Sequence, residues 1–263
     1  MNGFECIKSK DNSTIKFISK LQSSSSFRKE SAAFVLEGIR LCLDATHNGF
    51  SLETLVITEQ FYDNHFERLE EFETLAKRKI IVDENIFSKI SDTKTPQGIL
   101  CVCKMPEYAS SICEIESGKY IFLENLQDPS NLGAISRTAE ALGINGLIVN
   151  GGCDPFSPKS LRAAMGALLR IKVYFSYDFN TDINLLKQKG FKIFATVPRD
   201  NDAEVSSVDY SGNCAVLIGN EGNGLTQTAK KSADLRITIP MSGLAESLNA
   251  AAAASIVMWE MVK

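Results

Sequence analysis

The sequence predicts an α/β protein built from two domains. Segments with strand character alternate with segments of helical periodicity along almost the whole chain, and a stretch rich in Ser and Glu interrupts this alternation between Pro106 and Lys119. At 263 residues and 44% hydrophobic content, the chain is long enough to bury two moderate cores. We therefore predict one domain over residues 1–111 and a second over residues 112–263.

In the first domain, helical and extended segments follow one another closely. A predicted helix lies near Ser13–Leu21, and the tetraserine run that follows, Ser23–Ser26, has the composition of a mobile loop. The other predicted elements are a strand and helix in AAFVLEGIRLCLDATHNG, a strand LETLVIT, a helix DNHFERLEEFETLAKR, a strand KIIVD, a helix NIFSKIS and a strand QGILCVCKM. Together they make one compact α/β domain.

The second domain alternates more regularly, which predicts a parallel sheet covered by helices on both faces. Its predicted strands are KYIFLEN, GLIVN, IKVYF, FKIFATV, CAVLIG and DLRITIP. Its predicted helices are LGAISRTAEALG, PKSLRAAMGALL, INLLKQKG, LTQTAKKSA and a last helix from Glu246 to Val262. The last helix is apolar almost all round, which suits burial within the same chain or against a partner.

Composition argues against several classes of protein. No stretch approaches the roughly 18 apolar residues of a membrane span, and the amino terminus lacks the apolar run of a secretory signal. We therefore expect a cytoplasmic protein with no membrane association. Seven scattered cysteines without a CxxC pair, and only two histidines, His47 and His65, predict that there is no metal site.

The net charge of −4 hides a basic arm at the amino terminus. Residues 1–29 carry six basic side chains against Glu5 and Asp11, and such a cluster favours contact with nucleic-acid phosphates. The six are Lys8, Lys10, Lys16, Lys20, Arg28 and Lys29. A second basic group suits RNA phosphates and an ordinary solvated surface equally well; it consists of Lys159, Arg162, Arg170 and Lys172.

Two turns rich in small residues each follow a predicted strand, GNEGNG at residues 219–224 and MSGLAESLN at residues 241–249. The glycine spacing is neither GxGxxG nor GxxxxGK[ST], which argues against nicotinamide and nucleoside-triphosphate enzymes. Ligands of parallel sheets collect at the carboxyl ends of strands, where backbone donors are exposed. Two such turns can therefore form one adenosine pocket.

Three segments resemble, in content and in order, the SpoU (TrmH) branch of the SPOUT RNA methyltransferases. They are NLQDPSNLGAISRTAEALG at residues 125–143, VLIGNEGNGL at residues 216–225 and IPMSGLAESLNAAAAASIVMWE at residues 239–260. The resemblance spans nearly the whole second domain. It implies a SPOUT α/β domain with a trefoil knot, S-adenosylmethionine as cofactor, a homodimer packed around the final helix, and methylation of a ribose 2'-hydroxyl in RNA. Because knots are exceptions to the usual rules of chain connection, the strand pattern itself predicts only a doubly wound sheet.

The resemblance assigns the catalytic site to Asn131, Arg137, Glu221, Ser247 and Asn249. A guanidinium has five donors and no acceptor, so Arg137 suits stabilising the alkoxide as it forms, and the proton acceptor stays open. Without the motif, pairing with Glu140 on a helix surface is the better interpretation of Arg137. Three roles are open for Glu221. It accepts hydrogen bonds from backbone N–H groups, it orients Arg137, or its negative charge interacts with the dipole at a helix N-terminus. Ser247 and Asn249 are also ordinary helix caps.

The same resemblance places the cofactor at the two turns. It implies that backbone groups of Ile239, Met241 and Leu248 recognise the adenine and that Gly219 allows close approach. The complete predicted set is Thr196, Gly219, Asn220, Glu221, Gly222, Ile239, Met241, Ser247 and Leu248.

The first domain is similar to the ribosomal-protein-like α/β domain that binds substrate in many SpoU enzymes. The similar segments are SKDNSTIKFISKLQ, FVLEGIRLCLDA and TKTPQGILCV. This arrangement implies ribosomal RNA, more than transfer RNA, as the substrate. The alternative from another class is a noncatalytic RNA-binding or ribosome-assembly factor that keeps the fold. Retention of all five catalytic-site residues argues against that alternative.

Overall fold

Strands and helices alternate throughout the computed structural model, which describes residues 3–73, 76–107, 111–198 and 202–263, with the side chains of residues 66–71 and 73 outside the description. The strands of the described part are β1 (Glu5–Cys6), β2 (Ala33–Glu37), β3 (Leu52–Thr58), β4 (Ala76–Val82), β5 (Ile99–Lys104), β6 (Lys119–Glu124), β7 (Gly146–Asn150), β8 (Lys172–Ser176), β9 (Lys192–Thr196), β10 (Ala203–Glu204), β11 (Cys214–Ile218) and β12 (Leu235–Thr238).

The helices lie between these strands and after the last one. They are α1 (Ser13–Ser23), α2 (Ser25–Ser31), α3 (Ile39–His47), α4 (Glu59–Glu73), α5 (Glu84–Ile90), α6 (Pro129–Ala141), α7 (Pro158–Ala164), α8 (Ala167–Arg170), α9 (Phe179–Gln188), α10 (Gln227–Ser232) and α11 (Ala250–Val262).

The chain forms two units. Unit 1 comprises Met1–Pro106 together with Phe156–Leu169, and unit 2 comprises Glu107–Pro155 together with Arg170–Lys263. The segment that contains α7 therefore packs with the amino-terminal unit, where the ring of Phe156 lies 4.8 Å from that of Phe34.

Unit 1 is built on a mixed five-stranded sheet in the order β1-β4-β3-β5-β2. Pairing is parallel between β1 and β4 and between β3 and β4, and antiparallel where β5 meets β2 and β3. One core packs α1 and α5 on the sheet through apolar residues at helical spacing. These residues are Ile15, Ile18 and Leu21 from α1, and Ile86, Phe87 and Ile90 from α5.

Unit 2 contains a seven-stranded sheet in the order β10-β12-β9-β11-β6-β7-β8, and the pairings between its described strands are parallel. The prediction of a parallel sheet is confirmed. The neighbouring pairs β9–β11 and β11–β6 place strands from distant parts of the chain side by side. Helices α6 and α11 pack against each other and contact β7 and β11.

Several predicted helices differ from the observed ones in bounds or continuity, and three of them show the physical causes. The helix predicted up to Arg78 ends at Glu73, because Ala76–Val82 pairs with β3 and sheet hydrogen bonds override local periodicity. The helix predicted over Pro158–Leu169 is broken where Met165 takes a left-handed conformation with φ of 50°. The last helix begins at Ala250, four residues later than predicted, because the side chain of Asn249 caps it.

The tetraserine run is not a loop. Helix α1 ends at Ser23 and α2 begins at Ser25, and the hydroxyl of Ser24 accepts a hydrogen bond from the Phe27 N–H at 3.2 Å. The amino-terminal basic arm is likewise part of the fold. Arg28 is buried and donates to the carbonyl oxygens of Leu21 and Gln22, so it is not available to RNA.

Candidate active site

A cavity of about 240 Å³ lies in unit 2 beyond the carboxyl ends of β9, β11 and β12. Three chain segments form most of its lining: the end of β9, the turn after β11 and the segment from the end of β12 to the first turn of α11. Val205, Lys230 and Val257 complete it. This is the edge of a parallel sheet at which ligands commonly bind.

The turn after β11 is held by its own asparagine. The side-chain oxygen of Asn220 accepts hydrogen bonds from the N–H groups of Gly222 and Asn223, both at 3.0 Å, and its amide donates to the carbonyl of Asn125 at 3.0 Å. Gly219 admits no side chain, because a Cβ there would lie 2.2 Å from the carbonyl carbon of Gly224. The turn is therefore held together by contacts within itself and by a hydrogen bond to the loop after β6.

Three polar side chains from the three motifs form one hydrogen-bonded chain. The Asn131 amide donates to the Glu221 carboxylate at 2.9 Å, and the Asn249 amide donates to the Asn131 side-chain oxygen at 3.0 Å. Asn249 also caps α11 by accepting from the N–H groups of Ala251 and Ala252 at 2.9 and 3.2 Å. One network therefore ties the start of α6, the turn after β11 and the start of α11 together.

Glu221 also accepts two backbone hydrogen bonds ahead of α6, from Gln127 at 3.1 Å and Asp128 at 2.9 Å. Desolvation opposes ionisation of this carboxylate, but the hydrogen bonds from Asn131, Asp128 and Gln127 outweigh it and lower the pKa of Glu221 below its usual value. The carboxylate therefore stays ionised at neutral pH. It acts as an acceptor that holds the N-terminus of α6, and within the described residues it makes no hydrogen bond or ion pair with Arg137.

Arg137 lies on α6, and its residue is exposed. It is not among the residues that line the cavity, and within the described part of the chain it has no hydrogen-bond or ion-pair partner. Glu140, its alternative partner from the sequence, instead binds Arg170 at 3.1 Å. The pairing of Arg137 with Glu140 is therefore wrong, and the guanidinium of Arg137 points to no acid of the described residues.

A family model described as the SpoU rRNA Methylase family matches residues 118–259. The chain belongs to the SpoU rRNA methylase family. A second family model, the MRM3-like substrate binding domain, matches residues 12–101. The predicted resemblance of both halves is confirmed.

Two related rRNA methyltransferases match nearly the full length of this chain. The 23S rRNA (guanosine(2553)-2'-O)-methyltransferase RlmP of Bacillus subtilis is 31% identical over 257 residues, which cover 97% of this chain and 98% of the relative. The 23S rRNA (uridine(2479)-2'-O)-methyltransferase of Streptomyces viridochromogenes is 28% identical and covers 90% of this chain and 84% of its own length.

A solved structure is similar over the same range. The AdoMet-bound rRNA methyltransferase from Sinorhizobium meliloti superposes with a TM-score of 0.86 at 28% identity and covers 99% of this chain and 98% of its own. The SpoU chain thus has the predicted fold class, a parallel α/β methyltransferase domain preceded by an α/β substrate-binding domain.

The structure brings together most residues that the SpoU motifs predicted. All nine predicted cofactor residues line the cavity: Thr196, Gly219, Asn220, Glu221, Gly222, Ile239, Met241, Ser247 and Leu248. Of the five predicted catalytic residues, Asn131, Glu221 and Asn249 share the network. Ser247 lies on the cavity wall and makes no hydrogen bond to that network among the described residues. Among the described residues, Arg137 neither lines the cavity nor takes part in the network.

Two contributors to the site were not predicted. Glu124, at the end of β6, is buried and accepts from the N–H and hydroxyl of Thr226 at 2.8 and 2.7 Å, which anchors the far side of the glycine turn. Thr238 lines the cavity, and its buried hydroxyl has no hydrogen-bond partner within the described chain. Its position directly before Ile239, at the end of the strand that precedes the third motif, is the sequence feature that points to it.

The described residues of the SpoU chain include no helix long and apolar enough to cross a membrane. They also include no group of three or more His, Cys, Asp or Glu side chains placed to hold a metal ion.

Proposed function

We propose that the chain methylates a ribose 2'-hydroxyl of ribosomal RNA with S-adenosylmethionine as the methyl donor. The observation that carries this proposal is the network Glu221–Asn131–Asn249, which joins all three SpoU motifs beside the cavity. Relatives named as 23S rRNA 2'-O-methyltransferases over nearly the full chain support the reaction and the class of RNA. A similar structure solved with AdoMet supports the cofactor.

The cavity is chemically suited to an adenosine-containing cofactor. Apolar walls from Ile218, Ile239 and Leu248 suit the flat face of a purine. The buried hydroxyl of Thr238 has no partner among the described residues, so it offers a polar group that a ligand can satisfy. S-adenosylmethionine, when bound, supplies a methyl group on a sulfonium sulfur that is already activated for transfer. The chain then has to orient the ribose hydroxyl and exclude water.

We assign Arg137 to the ribose or an adjacent phosphate, where its charge stabilises the alkoxide as the hydroxyl loses its proton. Glu221, Asn131 and Asn249 position the loops around that site, since their hydrogen bonds are made within the protein. Ser247, on the cavity wall, has a hydroxyl that can contact either the cofactor or the ribose. The residue that accepts the proton is not assigned.

Methyl incorporation into RNA tests the proposal directly. The full chain is incubated with S-adenosylmethionine labelled in the methyl group and with ribosomal RNA from cells that lack this gene, and 2'-O-methyl sites are then mapped. We expect one or a few sites to gain a methyl group. Binding of RNA and cofactor with no incorporation would instead identify the noncatalytic assembly factor.

We assign RNA binding to the amino-terminal domain, residues 1–111, and methyl transfer to residues 112–263. The match of residues 12–101 to a substrate-binding domain supports this division. So does a basic groove of about 370 Å³ in unit 1, which is lined by four exposed lysines and by Asp11. The lysines are Lys10, Lys16, Lys20 and Lys89. The only acid of the groove, Asp11, lies 3.2 Å from Lys16, so the groove keeps a net positive charge.

Replacing these four groove lysines with glutamine is expected to weaken RNA binding and to make the binding constant less dependent on salt concentration. Each lysine that contacts a phosphate contributes about 0.7 to 0.9 to the magnitude of the slope of log K against log[salt], so loss of all four should lower that magnitude by up to about 3.6. Fluorescence anisotropy with labelled RNA at several salt concentrations measures both quantities.

The matched control changes the same charge elsewhere on the surface. Lys77, Lys187, Lys192 and Lys263 each pair with a surface acid, and their replacement by glutamine should change the slope much less. Equal slopes in the two quadruple variants would remove the groove from RNA binding.

We further propose a homodimer that packs on α11, and a trefoil knot formed by the last part of the chain. One face of α11 is buried and includes Ala254, Val257 and Met258. The opposite face exposes an apolar stripe that consists of Ile256, Trp259 and Val262. Trp259 is 57% exposed, which is unusual for a large aromatic side chain on a monomer. Two features support the knot. Strand β11 lies between β9 and β6, and α11 packs against α6.

Introducing lysine at both Ile256 and Trp259 is expected to convert a dimer into a monomer. Burying two charges in an apolar interface should raise the dissociation constant at least about 100-fold, as loss of central aromatic contacts commonly does. Sedimentation velocity at micromolar concentration measures the change. Tyr177→Lys, at an exposed aromatic residue just after β8, is the control and should leave the dimer intact. A monomeric wild-type chain would contradict the proposal.

We also propose the cytoplasm as the place of action, because ribosomal RNA is the expected substrate.

A further inference from the structure

Unit 1 contains a second cavity, of about 220 Å³, remote in sequence from all three SpoU motifs. It lies where β3 ends and β5 begins, between the first turns of α4 and α5. At about 30 Å³ per water molecule in the liquid, it has room for roughly seven waters or for one planar heterocycle of similar bulk.

The floor of this cavity is apolar and the walls are polar. Phe61 and Phe87 are almost fully buried beneath it, and the ring of His65 lies 4.7 Å from that of Phe61 at an interplanar angle of 41°. The lining also includes Gln60, Asn64, Gln97 and Glu84, whose carboxamides and carboxylate offer both hydrogen-bond donors and acceptors.

The backbone around the cavity is fixed by close packing. The Thr58 N–H donates to the Gly98 carbonyl at 2.9 Å, and the Thr58 hydroxyl accepts from the Phe61 N–H at 3.1 Å. Gly98 has φ of +80°, and a Cβ there would lie 2.6 Å from that hydroxyl, so only glycine allows the approach. The cavity therefore has a preformed shape.

One of the wall amides is also oriented. The side-chain oxygen of Gln97 accepts from the Ile39 N–H at 2.9 Å, so its NH₂ group is the end left for a ligand. Arg40 directly follows Ile39 in the chain, Lys94 lies three residues before Gln97, and both cations are exposed. Exposed cations this near in sequence to Ile39 and Gln97 suit contact with RNA phosphates.

We propose that this cavity binds one unpaired nucleobase of the RNA substrate and thereby helps to select the target site. Carboxamides and carboxylates pair with the hydrogen-bonding edges of bases, and single-stranded bases stack on aromatic rings such as that of His65. The proposal rests on the assignment of RNA to unit 1, and it adds a specific contact to the nonspecific charge of the lysine groove.

The double variant Gln60→Leu/Asn64→Leu tests it, because both residues are exposed and the change removes two carboxamides at nearly constant volume. At saturating S-adenosylmethionine, we expect the KM for ribosomal RNA to rise about tenfold and kcat to stay within about twofold. The matched control, Asn85→Leu/Gln188→Leu, makes the same two changes at exposed helix positions that do not line the cavity. Unchanged KM in the cavity variant, or an equal rise in the control, would overturn the proposal.

A second measurement does not depend on methyl transfer. The full-length chain is titrated with each of the four ribonucleoside 5'-monophosphates at millimolar concentration, and NMR follows the His65 imidazole and the side-chain amides of Gln60 and Asn64. We expect at least one monophosphate to shift these signals in the wild-type chain, and much less in the double variant. If no monophosphate shifts them, the cavity is not a base site and a protein partner becomes its better occupant. If they shift but the wild-type chain transfers no methyl group, the proposed function fails and the base site stands.

Discussion

Arg137→Ala is expected to lower the rate of methyl transfer by about 10²- to 10³-fold, the usual effect of removing one donor from a developing oxyanion. The affinity for S-adenosylmethionine should change less than about twofold, because Arg137 does not line the cavity. Single-turnover methyl transfer and calorimetric titration of the cofactor measure the two quantities separately. The helix should remain intact, since Arg137 is exposed and alanine is a good helix former.

The variant Arg137→Lys tests whether Arg137 acts through the planar shape of its guanidinium or only through its positive charge. Lysine keeps the positive charge and loses the planar fork, so a bidentate contact predicts little recovery and a purely electrostatic contact predicts substantial recovery. Arg170→Ala is the control, because it removes a guanidinium that is already paired with Glu140 at 3.1 Å. Full activity in Arg137→Ala, with the cofactor affinity intact, would show that Arg137 has no part in the reaction.

Gly219→Ala is expected to reduce the affinity for S-adenosylmethionine at least about 100-fold, or about 3 kcal/mol. The added Cβ would meet the Gly224 carbonyl carbon at 2.2 Å and the Leu225 nitrogen at 2.3 Å, and these are backbone atoms that cannot swing aside. The turn must open, which disturbs the Asn220 hydrogen bonds that shape the cavity wall. Calorimetric titration measures the affinity, and thermal unfolding followed by circular dichroism confirms that the chain is folded.

Gly243→Ala provides the comparison for this effect. A Cβ at Gly243 would meet no atom within 4 Å, so we expect its affinity for the cofactor to stay within about threefold of the wild type. An unchanged affinity in Gly219→Ala would mean that the turn relaxes without cost, and that its close packing does not shape the cofactor site.

The sequence alone determined the order and type of most elements, the parallel sheet of unit 2 and the three motifs around the cavity. These features have local causes: strand and helix periods are set by residues a few positions apart, and a turn of small residues such as 219–224 is defined by its own backbone needs. Strand β3, predicted as LETLVIT, matches Leu52–Thr58 for this reason. The predicted cofactor residues also line one cavity, because they follow strands whose carboxyl ends meet at one edge.

Only the tertiary structure decided which side chains meet and which are buried. Glu221 and Asn131 are 90 positions apart, and Asn131 and Asn249 are 118 apart, so their hydrogen bonds depend on β11 lying beside β6 and on α11 returning to α6. Burial likewise depends on distant partners: it takes Arg28 out of the basic arm, and it leaves the Thr238 hydroxyl at the cavity without a partner among the described residues. Strand pairing between distant segments leaves no periodic pattern in the local sequence, so the sequence does not reveal it. The free energy gained by burying a residue depends on which distant residues the fold packs against it.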